Sequence, residues 1–471
     1  MVEVSTGQNN KKWPQYMTSS LAVVVMFTSG IHYGWPSPFL PKLLSEDHPL
    51  NMNSEEASYI TTSASVGDIV GSIVFTTLAD TIGRKTSLLL IALPQIASNI
   101  ILYFSASSSL ALLYVARFLG GVSEGACLCI LPIYLGEISE ARIRGNLLSF
   151  FSIAWYSGSL FVNAVGSYLT IEVTSLITLS FPVFFLVTFF FMPKSPYYLL
   201  IKDQIEEARL ALVRLRANNN VDEELSELKK DVERQMSERG KYQDLILIKS
   251  NRSAILMMMG LSIVCEFSGI TSLTFYAQLF FMEATDVLPE EWAANLMIVL
   301  QLVFTLVSSA ILDYVGRKPL LLFSIGGCCA SLTFLTVYFM LNDYSSVQMS
   351  DLNWIPLMGM MLFQIFFNVG LGNVVNCLTG ELFSASIKTK ATCVTTTIYA
   401  ICVSVDTKIY QVLTDTYSLG VPLLVFATVQ LVGFIFCWKL VPETKGMTLE
   451  EIQQEIKTRR NILESKKTIK K

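Results

Sequence analysis

The sequence predicts an all-α membrane protein with twelve transmembrane helices in two six-helix bundles. Hydrophobic residues make up 52% of the 471 residues and charged residues only 15%, whereas soluble domains carry about 25% charged residues. The charges cluster between long apolar stretches, each close to the roughly 20 residues that a helix needs to cross a bilayer. Because lipid offers the backbone no hydrogen-bonding partner, these stretches are predicted as helices.

The apolar stretches give the predicted spans in chain order. They lie at residues 18–40, 57–79, 86–106, 111–136, 146–169, 172–192, 252–282, 292–312, 319–341, 353–382, 390–414 and 418–440. The first six spans are predicted to form an N-terminal bundle over residues 18–193, and the last six a C-terminal bundle over residues 252–441. The nine cysteines fall inside the spans, so neither a structural disulfide nor a metal site is expected.

Three polar segments complete the predicted domain organisation. Residues 1–17 form an N-terminal tail, and residues 442–471 form a C-terminal tail. Residues 194–251 form a linker between the bundles, in which the apolar spacing predicts short amphipathic helices at 204–216 and 222–236. The linker is either a plain connection or a gating plate that docks under the bundles.

The charges of the loops predict the orientation of the chain. The loops after the second and fourth spans of each half are basic and contain Arg84, Arg144, Arg317 and Lys388, whereas the first loop on the opposite side is acidic and contains Glu55. Basic loops of membrane proteins face the cytoplasm. We therefore expect both termini and the linker to be cytoplasmic.

Three landmarks occur in the same order in both halves and indicate an internal duplication. They are Asp80-x-x-Gly83-Arg84-Lys85 and Asp313-x-x-Gly316-Arg317-Lys318, then Glu137 with Arg144 and Glu381 with Lys388, then Pro193-Lys194-Ser195-Pro196 and Pro442-Glu443-Thr444-Lys445. Taken singly, each landmark is ordinary charge at a loop end. Three of them in register make duplication the better interpretation.

The charged members of these landmarks predict a gating latch at the cytoplasmic ends of the helices. Gly83 and Gly316 allow tight turns with positive φ, and the acids beside them can pair with bases of neighbouring loops. If exposed, such pairs contribute about 0–1 kcal/mol each, which suits a reversible contact. The predicted latch residues are Asp80, Arg84, Glu137, Arg144, Asp313, Arg317, Glu381 and Lys388.

Further motifs add a family resemblance. They are Gly-Arg-Lys at 83–85 and 316–318, Arg117, Pro-Ile-Tyr-Leu-Gly-Glu-Ile-Ser at 132–139, Ser-Gly-Ile at 268–270, Glu-Leu-Phe at 381–383 and Pro-Glu-Thr-Lys-Gly at 442–446. With them the sequence resembles the sugar porter branch of the major facilitator superfamily and is similar to insect facilitated trehalose and glucose transporters. The resemblance implies the major facilitator fold, a solute site near the bilayer midplane and alternating access. We expect a monomeric, multi-pass protein of the plasma membrane.

The resemblance also implies which positions line the solute site. They are His32, Ser152, Cys265, Glu266, Thr271, Phe275, Tyr276, Gln301, Asn368, Asn373 and Asn376. Tyr276 is the residue that the family has at its position and Gln301 is a retained amide, whereas Glu266 replaces a family amide. Amides suit sugar hydroxyls because each supplies both a donor and an acceptor. We therefore expect a site that stays polar but differs in selectivity from the rest of the family.

Ionisable residues inside the spans are functional hypotheses, because charge at membrane depth is costly. His32 either carries a proton, as its ordinary pKa of about 6.5 allows, or stays neutral and hydrogen-bonded. Glu266 is a candidate for substrate binding or coupling. Asp68 and Glu124 lie among small residues, which favours hydrogen bonding between helices. Glycines interrupt the seventh and tenth spans, at 269 and 370, and serve as flex points or packing positions.

Three functions remain open from the sequence. The first is a facilitative carrier of a hexose or disaccharide, and the second a proton-coupled symporter that uses His32 and Glu266. The third is a nutrient sensor without transport, which the short tail after residue 441 disfavours. No nucleophile–base pair or cofactor motif is visible, so we expect neither an enzyme nor a cofactor. The expected partners are a small polar solute, most simply a sugar, and the lipid bilayer, but not nucleic acid.

Overall fold

The regular structure of the protein is helical. The computed structural model describes residues 11–105, 107–140, 142–237, 242–344, 352–383, 385–447 and 451. Over these residues the regular elements are α-helices, and no strand is formed. The predicted all-α class is therefore confirmed.

The described helices fall into three groups along the chain. The first group is α1 (Trp13–Ala22), α2 (Val24–Gly34), α3 (Pro36–Leu44), α4 (Ser54–Thr81), α5 (Arg84–Ser105), α6 (Leu110–Ile138), α7 (Arg144–Tyr168) and α8 (Ile171–Phe189). The second group lies in the predicted linker and is α9 (Pro196–Ile201), α10 (Ile205–Arg216), α11 (Asp222–Ser237) and α12 (Asp244–Leu247). The third group is α13 (Lys249–Glu266), α14 (Ile270–Phe275), α15 (Ala277–Ala284), α16 (Glu290–Val315), α17 (Arg317–Tyr344), α18 (Trp354–Val369), α19 (Leu371–Leu382), α20 (Ala385–Thr416) and α21 (Gly420–Leu440).

Within the described residues, 10 helical stretches are long and apolar enough to cross a membrane. They include α4 to α8, α16, α17 and α21, and two composite stretches, Ser250–Phe275 and Trp354–Thr379. The two remaining predicted spans, 18–40 and 390–414, coincide with the broken helix α1–α3 and with α20. The chain is thus a multi-pass membrane protein.

Three of the predicted spans contain a break in the helix. Pro36 begins α3 directly after the end of α2 and supplies no backbone N–H. Gly269 separates α13 from α14 in the left-handed conformation, with φ of 82°, and Gly370 separates α18 from α19. Broken backbone at membrane depth is tolerated where it is covered by protein or lines a cavity. The two glycines that interrupt the predicted spans therefore lie at the helix breaks.

Helices α4 and α6 come into unusually close backbone contact. A Cβ atom at Gly71 would lie 2.0 Å from the carbonyl oxygen of Val122, and one at Gly121 would lie 1.8 Å from that of Ala64. Only glycine fits at such positions, which is how membrane helices approach each other closely. This contact fixes the position of Asp68 on α4 beside Glu124 on α6.

Hydrogen bonds join the two halves on the side away from the linker. The Thr81 end of α4 lies on the linker side, because the Tyr198 hydroxyl of α9 donates to the Thr81 carbonyl oxygen at 2.8 Å. At the other end of α4, the Lys408 ammonium of α20 donates to the Ser58 hydroxyl at 2.8 Å. On the same side, the amide of Gln278 donates to the hydroxyl of Ser167 at 2.8 Å. The halves are therefore closed against each other on that side.

Candidate solute-binding site

A chain of hydrogen-bonded polar side chains joins the two halves at the centre of the molecule. The Tyr156 hydroxyl of α7 donates to Asn368 Oδ1 of α18 at 3.1 Å. Thr305 of α16 donates to the same oxygen at 3.2 Å, and Asn368 Nδ2 donates to the Gln364 carbonyl oxygen at 2.8 Å. Asn368 is almost fully buried. Its position therefore depends on contacts with both halves.

Two glutamines continue this chain and keep unused hydrogen-bonding capacity. Gln301 Nε2 donates to Gln364 Oε1 at 3.0 Å and to the Thr274 hydroxyl at 3.3 Å. Gln301 Oε1 and Gln364 Nε2 are buried and have no partner among the described residues. We call Tyr156, Gln301, Thr305, Gln364 and Asn368 the amide chain. It leaves one acceptor and one donor available to a polar solute.

The three predicted asparagines of the tenth span separate in the structure. Asn373 is adjacent to the amide chain, because its Nδ2 donates to the Thr305 carbonyl oxygen at 3.1 Å and to the Ser309 hydroxyl at 3.0 Å. Asn376 is exposed, and its Nδ2 donates to the carbonyl oxygen of Gly372 in its own helix at 3.1 Å. Only Asn368 and Asn373 therefore share a region.

Two buried carboxyl groups lie on the C-terminal side of the centre. Thr271 donates to Glu266 Oε2 at 2.8 Å, and Ser272 donates to Asp406 Oδ2 at 2.5 Å. Glu266 and Asp406 are both 0% exposed, and the second oxygen of each has no partner among the described residues. Cys265, beside Glu266, is also buried.

Aromatic side chains near these carboxyl groups pack between the two halves. The ring of Phe275 lies 5.1 Å from that of Tyr33, which in turn lies 4.9 Å from Trp155. Tyr276 packs against Tyr410 at 5.2 Å, and its hydroxyl is buried without a described partner. Phe275 thus belongs to the contact between the halves.

His32 lies against α6 and away from the hydrogen-bonded groups. It is 1% exposed, and neither ring nitrogen has a partner among the described residues. Its carbonyl oxygen accepts a hydrogen bond from Arg117 Nη1 at 2.9 Å. Among the described residues, no hydrogen bond or ion pair joins His32 to Glu266.

Four functional candidates were missed from the sequence, namely Tyr156, Thr305, Gln364 and Asp406. Ser152 is half-buried on α7, but the α7 side chain that reaches Asn368 is Tyr156, one turn later. No sequence signal distinguished that tyrosine from others in the span. Asp406 could have been found, because it is an acid inside an apolar stretch, the same criterion that selected Glu266.

In the N-terminal half, the predicted latch residues form a compact cluster. Arg84 Nε donates to Glu137 Oε1 at 3.0 Å, and Ser195 donates to Glu137 Oε2 at 2.5 Å. Asp80 lies 3.6 Å from Arg84 Nη1. The side chains of Arg84 and Glu137 are only 8% and 11% exposed. This pair is therefore buried, in contrast to the expectation of an exposed and weak contact.

The C-terminal half repeats the cluster. Arg317 Nη2 donates to Glu381 Oε1 at 2.7 Å, and Thr444 donates to Glu381 Oε2 at 2.5 Å. The turns before both arginines have positive φ, 93° at Gly83 and 100° at Gly316. The contacts and turns of the first half are therefore repeated in the second half, as the sequence landmarks are.

Not every predicted latch residue joins these clusters. Arg144 donates to the Ser139 carbonyl oxygen at 3.5 Å. The side chains of Asp313 and Lys388 lie outside the described part of the structure. The pair of Arg84 with Glu137 and the pair of Arg317 with Glu381 each lie within one half.

The two clusters differ at one position of the repeat. Glu443 accepts hydrogen bonds from the backbone N–H groups of Arg317 at 2.9 Å and Lys318 at 3.0 Å, so it caps the beginning of α17. Burial acts to raise the pKa of Glu443, but backbone N–H donors outweigh it and the pKa is lowered. The equivalent Lys194 instead pairs with Glu207 at 3.0 Å on the surface. The reversal of charge at position 194 thus removes a helix cap in the first half.

Comparisons with known proteins agree with the fold. Residues 15–456 match the family described as "Sugar (and other) transporter". The facilitated trehalose transporter Tret1 of Apis mellifera ligustica is 28% identical over 449 residues, which cover 93% of this chain and 88% of the relative. The protein of the same name from Bombyx mori is 26% identical over 455 residues, which cover 96% and 88%.

Solved structures give the same fold. The xylose transporter XylE from E. coli, in a partially occluded inward open conformation, aligns with a TM-score of 0.78 at 19% identity and covers 92% of this chain and 99% of that one. The inward open conformation of the same transporter gives a TM-score of 0.77 at 20% identity, over 93% and 99%. The predicted major facilitator fold is confirmed.

Proposed function

Because the chain belongs to the Sugar (and other) transporter family, we propose that it carries a hexose or disaccharide across the membrane by alternating access as a facilitative uniporter. The amide chain is the observation that supports this proposal best. Its Tyr156 and Asn368 come from different halves and are hydrogen-bonded at 3.1 Å. A solute bound to these groups would contact both halves, which is what coupling of binding to their relative motion requires.

The chemistry of the amide chain suits a sugar. Each sugar hydroxyl both donates and accepts, and the free atoms Gln301 Oε1 and Gln364 Nε2 offer one partner for each role. The relatives named as facilitated trehalose transporters support the same class of solute. Transporters are not enzymes, so family membership also agrees with the expectation that the chain catalyses no reaction.

Uniport is favoured over proton coupling by the position of His32. A symporter that used His32 and Glu266 together would need hydrogen-bonding groups or water that connect the two side chains. In the structure His32 packs against Gly120 of α6, where a Cβ atom would lie 2.9 Å from His32 Nδ1, and Glu266 bonds to Thr271. Sugar uptake that does not respond to a proton gradient would support uniport.

The sugar-binding proposal can be tested by affinity. Asn368→Ala removes the link between the halves, and Gln301→Ala removes a free acceptor. Each substitution is expected to weaken sugar binding roughly tenfold, because buried partners are left unpaired. Asn146→Ala is the matched control, since Asn146 is an exposed amide on the same helix as Tyr156. Unchanged affinity in both site variants would contradict the proposal.

We propose the following arrangement in the plasma membrane for the monomer. Residues 18–193 and 252–441 form the two bundles, with residues 194–251 and both tails, 1–17 and 442–471, in the cytoplasm. The basic loops support this orientation. The latch clusters would then stiffen the cytoplasmic end of each half. Accessibility of single cysteines introduced on either side, probed with an impermeant thiol reagent in intact cells, tests the orientation.

A further inference from the structure

A small cavity of about 20 Å³ between the two halves contains charges that the proposed sugar site does not use. Its charged lining consists of Asp68 of α4 with Arg117 and Glu124 of α6. Tyr33, Phe275 and Tyr399 add aromatic side chains to the lining from both halves. We call this space the acidic cavity.

The polar groups of the acidic cavity are not satisfied by the protein. Asp68 is 5% exposed and Arg117 is 1% exposed. Asp68 Oδ1 accepts no hydrogen bond and Arg117 Nε donates none within the described residues. Arg117 is turned instead to the carbonyl oxygen of His32, at 2.9 Å. A buried acceptor and a buried donor without partners are costly, which points to a ligand that supplies both.

The charge around the acidic cavity is unbalanced. Glu266 and Asp406 of the C-terminal half lie close enough to interact electrostatically with each other, and Glu266 also with Asp68. Together with Glu124 these make four carboxyl groups, and among the described residues that line the cavity Arg117 is the one strong base. The nearby base on α20, Lys408, is directed to Ser58 and the Gln411 side chain. Buried carboxyl groups avoid the cost of a negative charge either by keeping their protons or by binding a cation.

We propose that the acidic cavity binds the ammonium group of the transported solute, so that the preferred substrate is an amino sugar. This inference rests on the proposed sugar transport. Asp68 and Glu124 would accept hydrogen bonds from the ammonium group, and the aromatic walls attract organic cations. Arg117 Nε would donate to a neighbouring hydroxyl of the sugar, whose other hydroxyls contact the amide chain.

A metal ion is the less suitable cation for the acidic cavity. Within the part of the chain that the structure describes, no group of three or more His, Cys, Asp or Glu side chains is arranged to hold a metal ion. The cavity instead combines two carboxyl groups with aromatic rings and an arginine. That combination matches an organic ammonium group rather than a dehydrated inorganic ion.

The test compares three sugars that differ in one substituent. Binding of glucosamine, N-acetylglucosamine and glucose to the purified full-length protein is measured by calorimetry at a pH where the free amine is protonated. The inference predicts that glucosamine binds about tenfold tighter or more than the other two, since hydrogen bonds to charged groups are the strong ones. Equal binding of all three sugars overturns the inference. Equal binding is also the result expected if the carboxyl groups of the cavity are simply protonated and bind no ammonium group.

Variants connect the preference to the cavity. The double variant Asp68→Asn/Glu124→Gln keeps the shape of both side chains and is expected to abolish the glucosamine preference while glucose binding remains. Glu172→Gln, at the start of α8, is the matched control and is expected to keep the preference. A preference that survives the double variant contradicts the assignment of the site. If the double variant does not fold, the binding of the three sugars to the wild-type protein still tests the inference.

The outcomes separate this inference from the proposed function. Glucose uptake into proteoliposomes without a glucosamine preference would refute the ammonium site and leave sugar transport intact. Glucosamine binding that depends on Asp68, together with no uptake of any sugar, would refute sugar transport and support the ammonium site. Failure of all three sugars to bind would refute the ammonium site, and uptake of fructose and trehalose would then decide whether the chain transports a sugar.

Discussion

The substitution Arg84→Ala should destabilise the N-terminal half strongly. It removes the cation from a pair whose members are only 8% and 11% exposed, so the Glu137 carboxylate stays buried with Ser195 as its remaining partner. Removing one member of a buried ion pair costs about 3–5 kcal/mol, and the Ser195 hydrogen bond places the expected loss near the lower end, at about 3 kcal/mol. Arg317→Ala should cost less, about 1–2 kcal/mol, because Glu381 is 25% exposed and water can reach it.

The assay is the melting temperature of the purified protein in detergent, combined with sugar counterflow in proteoliposomes. The loss of melting temperature should rank Arg84→Ala above Arg317→Ala. Lys194→Ala is the matched control, because its pair with Glu207 has side chains 52% and 51% exposed and such pairs contribute about 0–1 kcal/mol. The double variant Arg84→Ala/Glu137→Ala should recover part of the loss, since no unpaired carboxylate remains.

Both arginine variants should slow counterflow more than they weaken sugar binding, because Arg84 and Arg317 lie at the beginnings of α5 and α17, whereas the amide chain lies within α7, α16 and α18. An Arg84→Ala protein that melts like the Lys194→Ala protein would refute the reasoning from burial. A changed affinity with unchanged turnover would refute the assignment of the clusters to gating.

Three further predictions follow from individual contacts. Asn368→Ala should weaken sugar binding roughly tenfold, whereas Asn376→Ala should leave it unchanged, because Asn376 is exposed and bonds to its own helix. Calorimetry measures the sugar affinity of both variants, and equal affinities would contradict the different roles of the two asparagines. Because the pKa of Glu443 is lowered in the folded state, its contribution to stability is present above the ordinary pKa of glutamate and is lost as the pH falls. The melting temperature of Glu443→Gln should therefore fall less at acid pH than that of the wild type. Parallel plots of melting temperature against pH for the two proteins would refute this. Lys408→Ala should loosen the contact between the halves on the side away from the linker. A Ser54→Cys probe should then react faster with an impermeant thiol reagent than the same probe in a protein that keeps Lys408. An unchanged rate would show that this lysine does not hold the halves together.

The fold was predictable because its cause is visible in the sequence. Apolar stretches of membrane length require helices whatever their partners, and the repeated landmarks indicate the duplication from the order of residues alone. The latch contacts were also expected from their order along the chain. Their burial was not, because it arises when Ser195 and Thr444, which follow the bundles, fold back over Glu137 and Glu381.

The solute site was less predictable, because hydrogen bonds between distant helices depend on rotation and register. Tyr156 and Asn368 are separated by 212 positions, and nothing in either local sequence couples them. Asn376 looked equivalent to Asn368, but the break at Gly370 directs the following helix, α19, differently. Alignment to the family predicted Ser152 as the solute-site residue of this span, whereas in the structure Tyr156, one turn later, makes the hydrogen bond to Asn368.

Uptake of radiolabelled sugars into proteoliposomes tests the central claim most directly. The wild-type protein, without a proton gradient, should show saturable uptake of at least one of glucose, fructose, trehalose and glucosamine. The same uptake should fall sharply in Asn368→Ala and persist in Asn146→Ala. Absence of uptake for all four sugars, from a protein that is folded by its melting curve, would contradict the account.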